Sequence, residues 1–102
     1  MKDQNEVKLS GSINRLKSIT TSTGTPMAEA LLQVDKYQFR VTALGNLAEG
    51  ILAKAQDGDR LGVTGTLTAN SWQDKDGQWR NSFCVTAWLV EIHGEKLAYQ
   101  RG

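Results

Sequence analysis

The chain has one cysteine, one histidine and one proline among its 102 residues. A lone Cys84 excludes an internal disulfide and any multi-cysteine zinc site. A lone His93 removes most metal sites and most base-assisted nucleophile schemes. No convergent carboxylate pair stands out either, so the sequence points away from an enzyme, and no cofactor or metal is expected. Long apolar runs are missing as well. Nothing approaches the roughly 20 apolar residues of a membrane span, and the opening "MKDQNEVKLSG" has no apolar stretch of signal-peptide length. The expected setting is the reducing cytoplasm, with no membrane partner. An excess of one charge is also absent: 12 Lys and Arg face 11 Asp and Glu, a net charge of +1. A broad basic surface is therefore excluded, and contact with a polyanion must come from a local arrangement of side chains.

What is present fits one domain over 1–102 with one core, because 39% of the residues are hydrophobic and 23% charged,. Residues 1–6 and 95–102 are expected to be flexible. "VKLSGSI" alternates, with Val7, Leu9 and Ile13 on one face and Lys8, Ser10 and Ser12 on the other, the period of a half-buried strand. Gly11 on the inner face suggests a bend or bulge. "TTSTGTP" is a loop by composition. "MAEALLQV" alternates again, with Ala28, Ala30, Leu32 and Val34 inward. Asp35 and Lys36 form a tight turn without the usual glycine. In "YQFRVTAL", Tyr37, Phe39, Val41 and Ala43 share the inner face. "GNLAEGILAKAQDGD" is the one helical stretch, with Leu47, Ile51 and Leu52 at helical spacing and Gly58 as a stop. A fourth strand follows in "RLGVTGTLTANS", with Leu61, Val63, Gly65 and Leu67 inward. A fifth, "NSFCVTAWLVEI", turns Phe83, Val85, Ala87 and Leu89 inward and Cys84, Thr86 and Trp88 outward. Three strands, one helix and two strands make an all-β chain of OB-fold type, a five-stranded, partly open barrel with its one helix between strands three and four.

Several of these segments resemble bacterial and phage single-stranded DNA-binding proteins. "NEVKLSGSINRLKSITTSTGTPMAEALLQV" is similar to the opening of that family, "RVTALGNLAEGI" to its third strand and helix start, and "DGDRLGVTGTLTANSWQDKDGQWR" to its fourth strand and following loop. The resemblance covers roughly residues 6–92. It implies single-stranded DNA as partner, in replication, recombination or repair, and a homo-oligomer, dimer or tetramer. The departures are specific. The family's long hairpin between strands two and three is cut here to Asp35 and Lys36. Gln38 and Leu44 stand where the family has aromatics, and "EKLAYQRG" carries no acidic tip. Of the family's stacking aromatics Trp72 is clearly kept. A smaller footprint and weaker binding per subunit are expected. The chain also resembles primosomal replication protein N, an OB-fold module that binds a replication protein partner as well as DNA. A third reading is an interaction module that no longer binds nucleic acid.

Binding single strands without sequence readout needs flat side chains for bases and cations for phosphates. In "SWQDKDGQWR", Trp72 and Trp79 flank a polar turn and could form one platform, with Lys75 and Arg80 beside them. Asp74 and Asp76 oppose phosphate in the same loop. Arg15, Lys17, Lys36 and Arg40 are candidate phosphate partners, and Tyr37 a second stacking surface. The plainer reading of the tryptophans is a cross-strand pair that stiffens the hairpin. For Arg40 and Lys17 it is a solvated surface charge. Trp88, outward between Thr86 and Val90, suggests a covered surface. Its cover is either a second subunit, with Thr86, Lys8 and Ser10 in the interface, or the C-terminal segment through Leu97 and Tyr99. Nothing adjacent to Cys84 would activate a thiol. Gly62 and Gly65 are not a phosphate loop, since no Lys-Ser/Thr ending and no helix follow.

Overall fold

The computed structural model describes residues 3–98. In chain order it contains β1 (Val7–Thr20), β2 (Pro26–Val34), β3 (Tyr37–Leu44), α1 (Gly45–Lys54), β4 (Arg60–Gln73), β5 (Trp79–Ile92) and β6 (Glu95–Ala98). The sheet order is β3-β2-β1-β4-β5-β6, and β3 also pairs with β5 in parallel at Val41↔Val85 and Thr42↔Thr86. That pairing closes β1 to β5 into a ring, as an OB-fold requires. β6 is a strand that sequence reading did not include. It lies antiparallel on β5, and its Leu97 packs toward the core beside Gly50 of α1. Among the described residues no helix is long and apolar enough to cross a membrane.

The alternating residues form the ring because their apolar halves meet inside it. Ile13, Leu32, Val85, Val90 and Ile92 from the strands and Leu47 from α1 are each less than 2% exposed. Burying a side chain of this size contributes roughly 1.5–3 kcal/mol. α1 ends at Lys54, and Gly58 sits in the turn beyond it, with φ 96°. Asp35 makes the β2–β3 turn without glycine by taking the left-handed region itself, at φ 53°. Before β1, the Asn5 side chain mimics a strand residue. It donates to the Leu67 carbonyl and accepts from the Leu67 amide, both at 2.8 Å.

Two glycines permit the ring to close this tightly. A Cβ on Gly11 would stand 1.9 Å from the Gln33 carbonyl oxygen, and one on Gly65 would stand 2.2 Å from that of Thr86. At Gly11, β1 leaves β4 and turns onto β2, since Ser12 pairs with both Arg60 and Gln33. The bulge of β1 itself lies further on, between Asn14 and Lys17, with Arg15 at φ 55°.

A second irregularity corrects the expected facing of β5. The register steps from Thr64↔Leu89 to Gly65↔Ala87, so Trp88 is an extra residue in the ladder. One inserted residue reverses the alternation beyond it. Val90 and Ile92 therefore point inward, Leu89 does not, and Val90 is no same-face neighbour of Trp88.

The expected cost of crowding these sites is sharp. Gly11→Ala and Gly65→Ala should each lose about 1–3 kcal/mol of stability through forced backbone shifts. Gly62→Ala, whose new methyl meets only the Glu91 Cβ at 3.6 Å, should stay within about 0.5 kcal/mol of wild type. Urea midpoints of the three variants test this, and equal midpoints would refute the close-approach account.

Candidate nucleic-acid interface

The strands β1, β4 and β5 each run 14 residues, well beyond the usual five or six. Their excess length carries side chains past the core. The β4–β5 ribbon extends to the turn between Gln73 and Trp79, and pairing fixes which side each residue takes. Trp72 lies opposite Arg80, and Gln73 opposite Trp79. Directly opposed residues share a face and successive residues alternate. Trp72 and Trp79 consequently stand on opposite faces of the ribbon. The single platform expected from their flanking positions does not form.

The turn is organised by Asp74. Its Oδ1 accepts from the amides of Asp76 and Gln78, and its Oδ2 accepts from Arg80 Nε, all at 2.9 Å. The Arg80 guanidinium, followed by these amides, holds the Asp74 carboxyl below the usual carboxylate range,. Asp74 is thus engaged in the turn, and Arg80 is partly neutralised by it. Lys75 sits at the exposed tip with no carboxylate partner among the described residues.

The outer face is continuous around the ring. Asn14 of β1 lies beside Leu31 of β2, and Leu31 beside Arg40 of β3. β3 meets β5 through Thr42 Oγ1 and Cys84 Sγ at 3.9 Å, and Thr68 of β4 reaches Cys84 Sγ at 3.1 Å. From there Asn70 and Ser82 lead to Trp72, which is 47% exposed, and Arg80. Arg15 borders a polar groove with Asn14, Leu31, Gln38 and Asp57 on this side. Its left-handed backbone is pinned because the next amide, that of Leu16, donates to Asp57 at 2.9 Å. Arg15 and Arg40 have no ion-pair partner among the described residues. Lys17 does, with Glu29 at 3.3 Å.

Tyr37, Phe39, Leu67, Phe83 and Trp79 belong to the other, inward-facing side, yet all are exposed. Tyr37 and Phe39 pack at 6.5 Å between ring centroids, with Lys36 Nζ 5.6 Å from the Tyr37 ring. Sequence alternation gives the inner face for Tyr37, Phe39, Leu67 and Phe83, and the β4–β5 register adds Trp79. It does not show that β3 and β5 pair only from Val41 and Val85 onward, so Tyr37, Phe83 and Trp79 run past that pairing and Phe39 sits at its edge beside the buried Leu32. The signal available in the sequence was strand length.

Lys8 and Ser10 of β1, and Thr86 and Trp88 of β5, lie on strands that both flank β4. Lys8 opposes Thr64, Ser10 opposes Gly62, and Thr86 opposes Thr66. Trp88 is 43% exposed at the β5 bulge. Leu97 does not cover it, because it faces inward beside Val90 and Gly50. Tyr99, the other expected cover, lies outside the described residues.

A family model described as the single-strand binding protein family matches residues 4–92. The chain belongs to that family. Single-stranded DNA binding is the function that membership supports. No curated protein matches the chain.

The lowered pKa of Asp74 makes the turn sensitive to acid. A carboxylate whose folded pKa is depressed contributes stability above its unfolded value, and that contribution is lost as pH falls through the folded value. Wild type should keep an ordered turn down through pH 3.8, the ordinary aspartate value, and lose it below. Asp74→Asn should show no such acid step. Amide chemical shifts of Asp76 and Gln78 between pH 6 and pH 2 report this, and an identical titration in both proteins would exclude the assignment to Asp74.

Proposed function

We propose that the protein binds single-stranded DNA non-enzymatically and without sequence readout, in cytoplasmic replication, recombination or repair, and that it does so as a homodimer. The observation that carries this reading is the outer path from Asn14 and Arg15 across Leu31 and Arg40 to Trp72. Trp72 supplies a stacking surface worth roughly 1–3 kcal/mol per base. Arg15, Arg40 and Lys75 track phosphates, whereas Lys17 and Arg80 already satisfy Glu29 and Asp74 and add less. With net charge +1, binding rests on these few cations and on stacking, so affinity per protomer is modest. Linking protomers recovers it by raising the effective concentration of the second site.

Polythymidine titrations at two or more salt concentrations separate the roles. Trp72→Ala should weaken binding about 5- to 150-fold while leaving the salt slope unchanged, as loss of one stacked base requires. Arg40→Ala should reduce the slope by about 0.7, the share of one phosphate on a single strand. Lys17→Ala should change it little. Absence of binding at low salt in wild type would overturn the function.

The proposed dimer face is the exposed patch of Trp88, Thr86, Lys8 and Ser10. The groove lined by Lys8, Ser10, Gly62 and Thr64 is bordered on β5 by Leu89, the residue after the exposed Trp88, and an indole is an anchor of the kind that dominates interfaces. Trp88→Glu should halve the mass seen by light scattering while preserving the circular dichroism spectrum. A dimer unaffected by that charge would move the interface elsewhere.

A further inference from the structure

The five inward-facing residues that escape the core cluster at one end of the ring. α1 joins the end of β3 to the start of β4, and so covers the opposite end, packing Leu47, Ala48 and Ile51 into the core. At the hairpin end, β3 and β5 leave their parallel pairing at Val41↔Val85. Phe39 precedes Val41 by two residues, and Phe83 precedes Val85 by two, so both leave the core at the same level. Tyr37 and Trp79 continue these inner faces toward the two hairpin tips. Leu67 adjoins them opposite Val85. Tyr37, Phe83 and Trp79 are 58, 62 and 71% exposed, the three most exposed large hydrophobic side chains among the described residues.

We infer that this aromatic mouth is a second stacking subsite for single-stranded DNA, reached by a strand that passes from Trp72 around the edge of the β4–β5 ribbon. The inference rests on the single-stranded DNA reading above and extends it to the other face. Four of the five side chains are aromatic, and on the ribbon Phe83 and Trp79 share their face with the hydrogen-bonding Ser71, Gln73 and Asn81. Asn81 stands between Trp79 and Phe83 and accepts from Ser71 Oγ at 2.6 Å. Flat faces interleaved with amides and hydroxyls match nucleobases, which offer π surfaces and polar edges together. The tips that flank the mouth carry Lys36, set over the Tyr37 ring at 5.6 Å, and Lys75. Neither has a carboxylate partner among the described residues, so both can meet phosphate. The route is short, since the Trp72↔Arg80 pair is next to the Gln73↔Trp79 pair on the ribbon.

The test uses the full chain and a thymidine oligomer substituted with 5-iodouridine, photocrosslinked and mapped by mass spectrometry. Affinity and mass of Phe83→Ala and Tyr37→Ala are measured beside it. The expected result is crosslinks at Tyr37, Phe83 or Trp79 in addition to Trp72. Each variant should lose about 5- to 100-fold in affinity, with unchanged thermal melting and unchanged mass. Crosslinks confined to Trp72 and its face, with both variants binding like wild type, would overturn the second subsite and leave the function standing. A fall in mass in either variant would also overturn it, because the mouth would then hold a second copy of the chain. No binding by wild type at low salt would remove the function and the subsite together.

Discussion

Closure of the ring depends on two backbones approaching more closely than any side chain permits. Gly11 lies against the Gln33 carbonyl and Gly65 against that of Thr86. These contacts let β1 turn from β4 onto β2 and let β4 press on β5 where β5 meets β3 in parallel. Once that parallel pairing exists, every strand of the ring has two neighbours, and the apolar faces converge on Ile13, Leu32, Val85 and Val90. The interior then fills with small residues as well as large, including Ala28, Ala30, Ala43 and Ala87. A narrow ring has no room for more.

The same closure determines what is left outside. On β3 and β5 the buried residues end at Val41 and Val85, while β4 and β5 run on for several residues as a two-stranded ribbon. A free ribbon has two solvated faces, and a lone two-stranded hairpin is only marginally stable in water. This one is held at its tip by the Asp74 hydrogen bonds to Asp76, Gln78 and Arg80 and along its length by Thr68, Ser71 and Asn81. Its rigidity comes from polar contacts, which leaves the aromatic side chains available for other partners. The loop carboxylate that looks hostile to phosphate is the group that positions the loop.

Charge is distributed by the same logic. Of the basic residues near the outer face, Lys17 and Arg80 are satisfied internally, and Arg15 and Arg40 have no ion-pair partner among the described residues. A near-neutral chain can present a local cationic path because pairing is selective. Arg15 is the more constrained of the two, since the β1 bulge places it at φ 55° and Asp57 fastens the next amide. A bulge re-aims a side chain at little cost to the rest of the strand.

Period-two alternation was legible in the chain from Val7 through Ile92, and with it the strand order, the single helix and the inner or outer face of most residues. So were the family resemblance and the two-residue turn at Asp35 and Lys36. These are local properties: alternation and turn chemistry act between residues close in sequence, so the sequence by itself determined them. Three things were decided only in three dimensions. The bulge at Trp88 moved Val90 inward and Leu89 out, because it depends on how β5 pairs with a strand some twenty residues earlier. The separation of Trp72 from Trp79 follows from register, which places each opposite a residue on the other strand. The exposure of Tyr37, Phe39, Leu67 and Phe83 follows from where the ring closes. A strand's own sequence states which side a residue takes, but only the packed neighbours determine whether anything lies across from it.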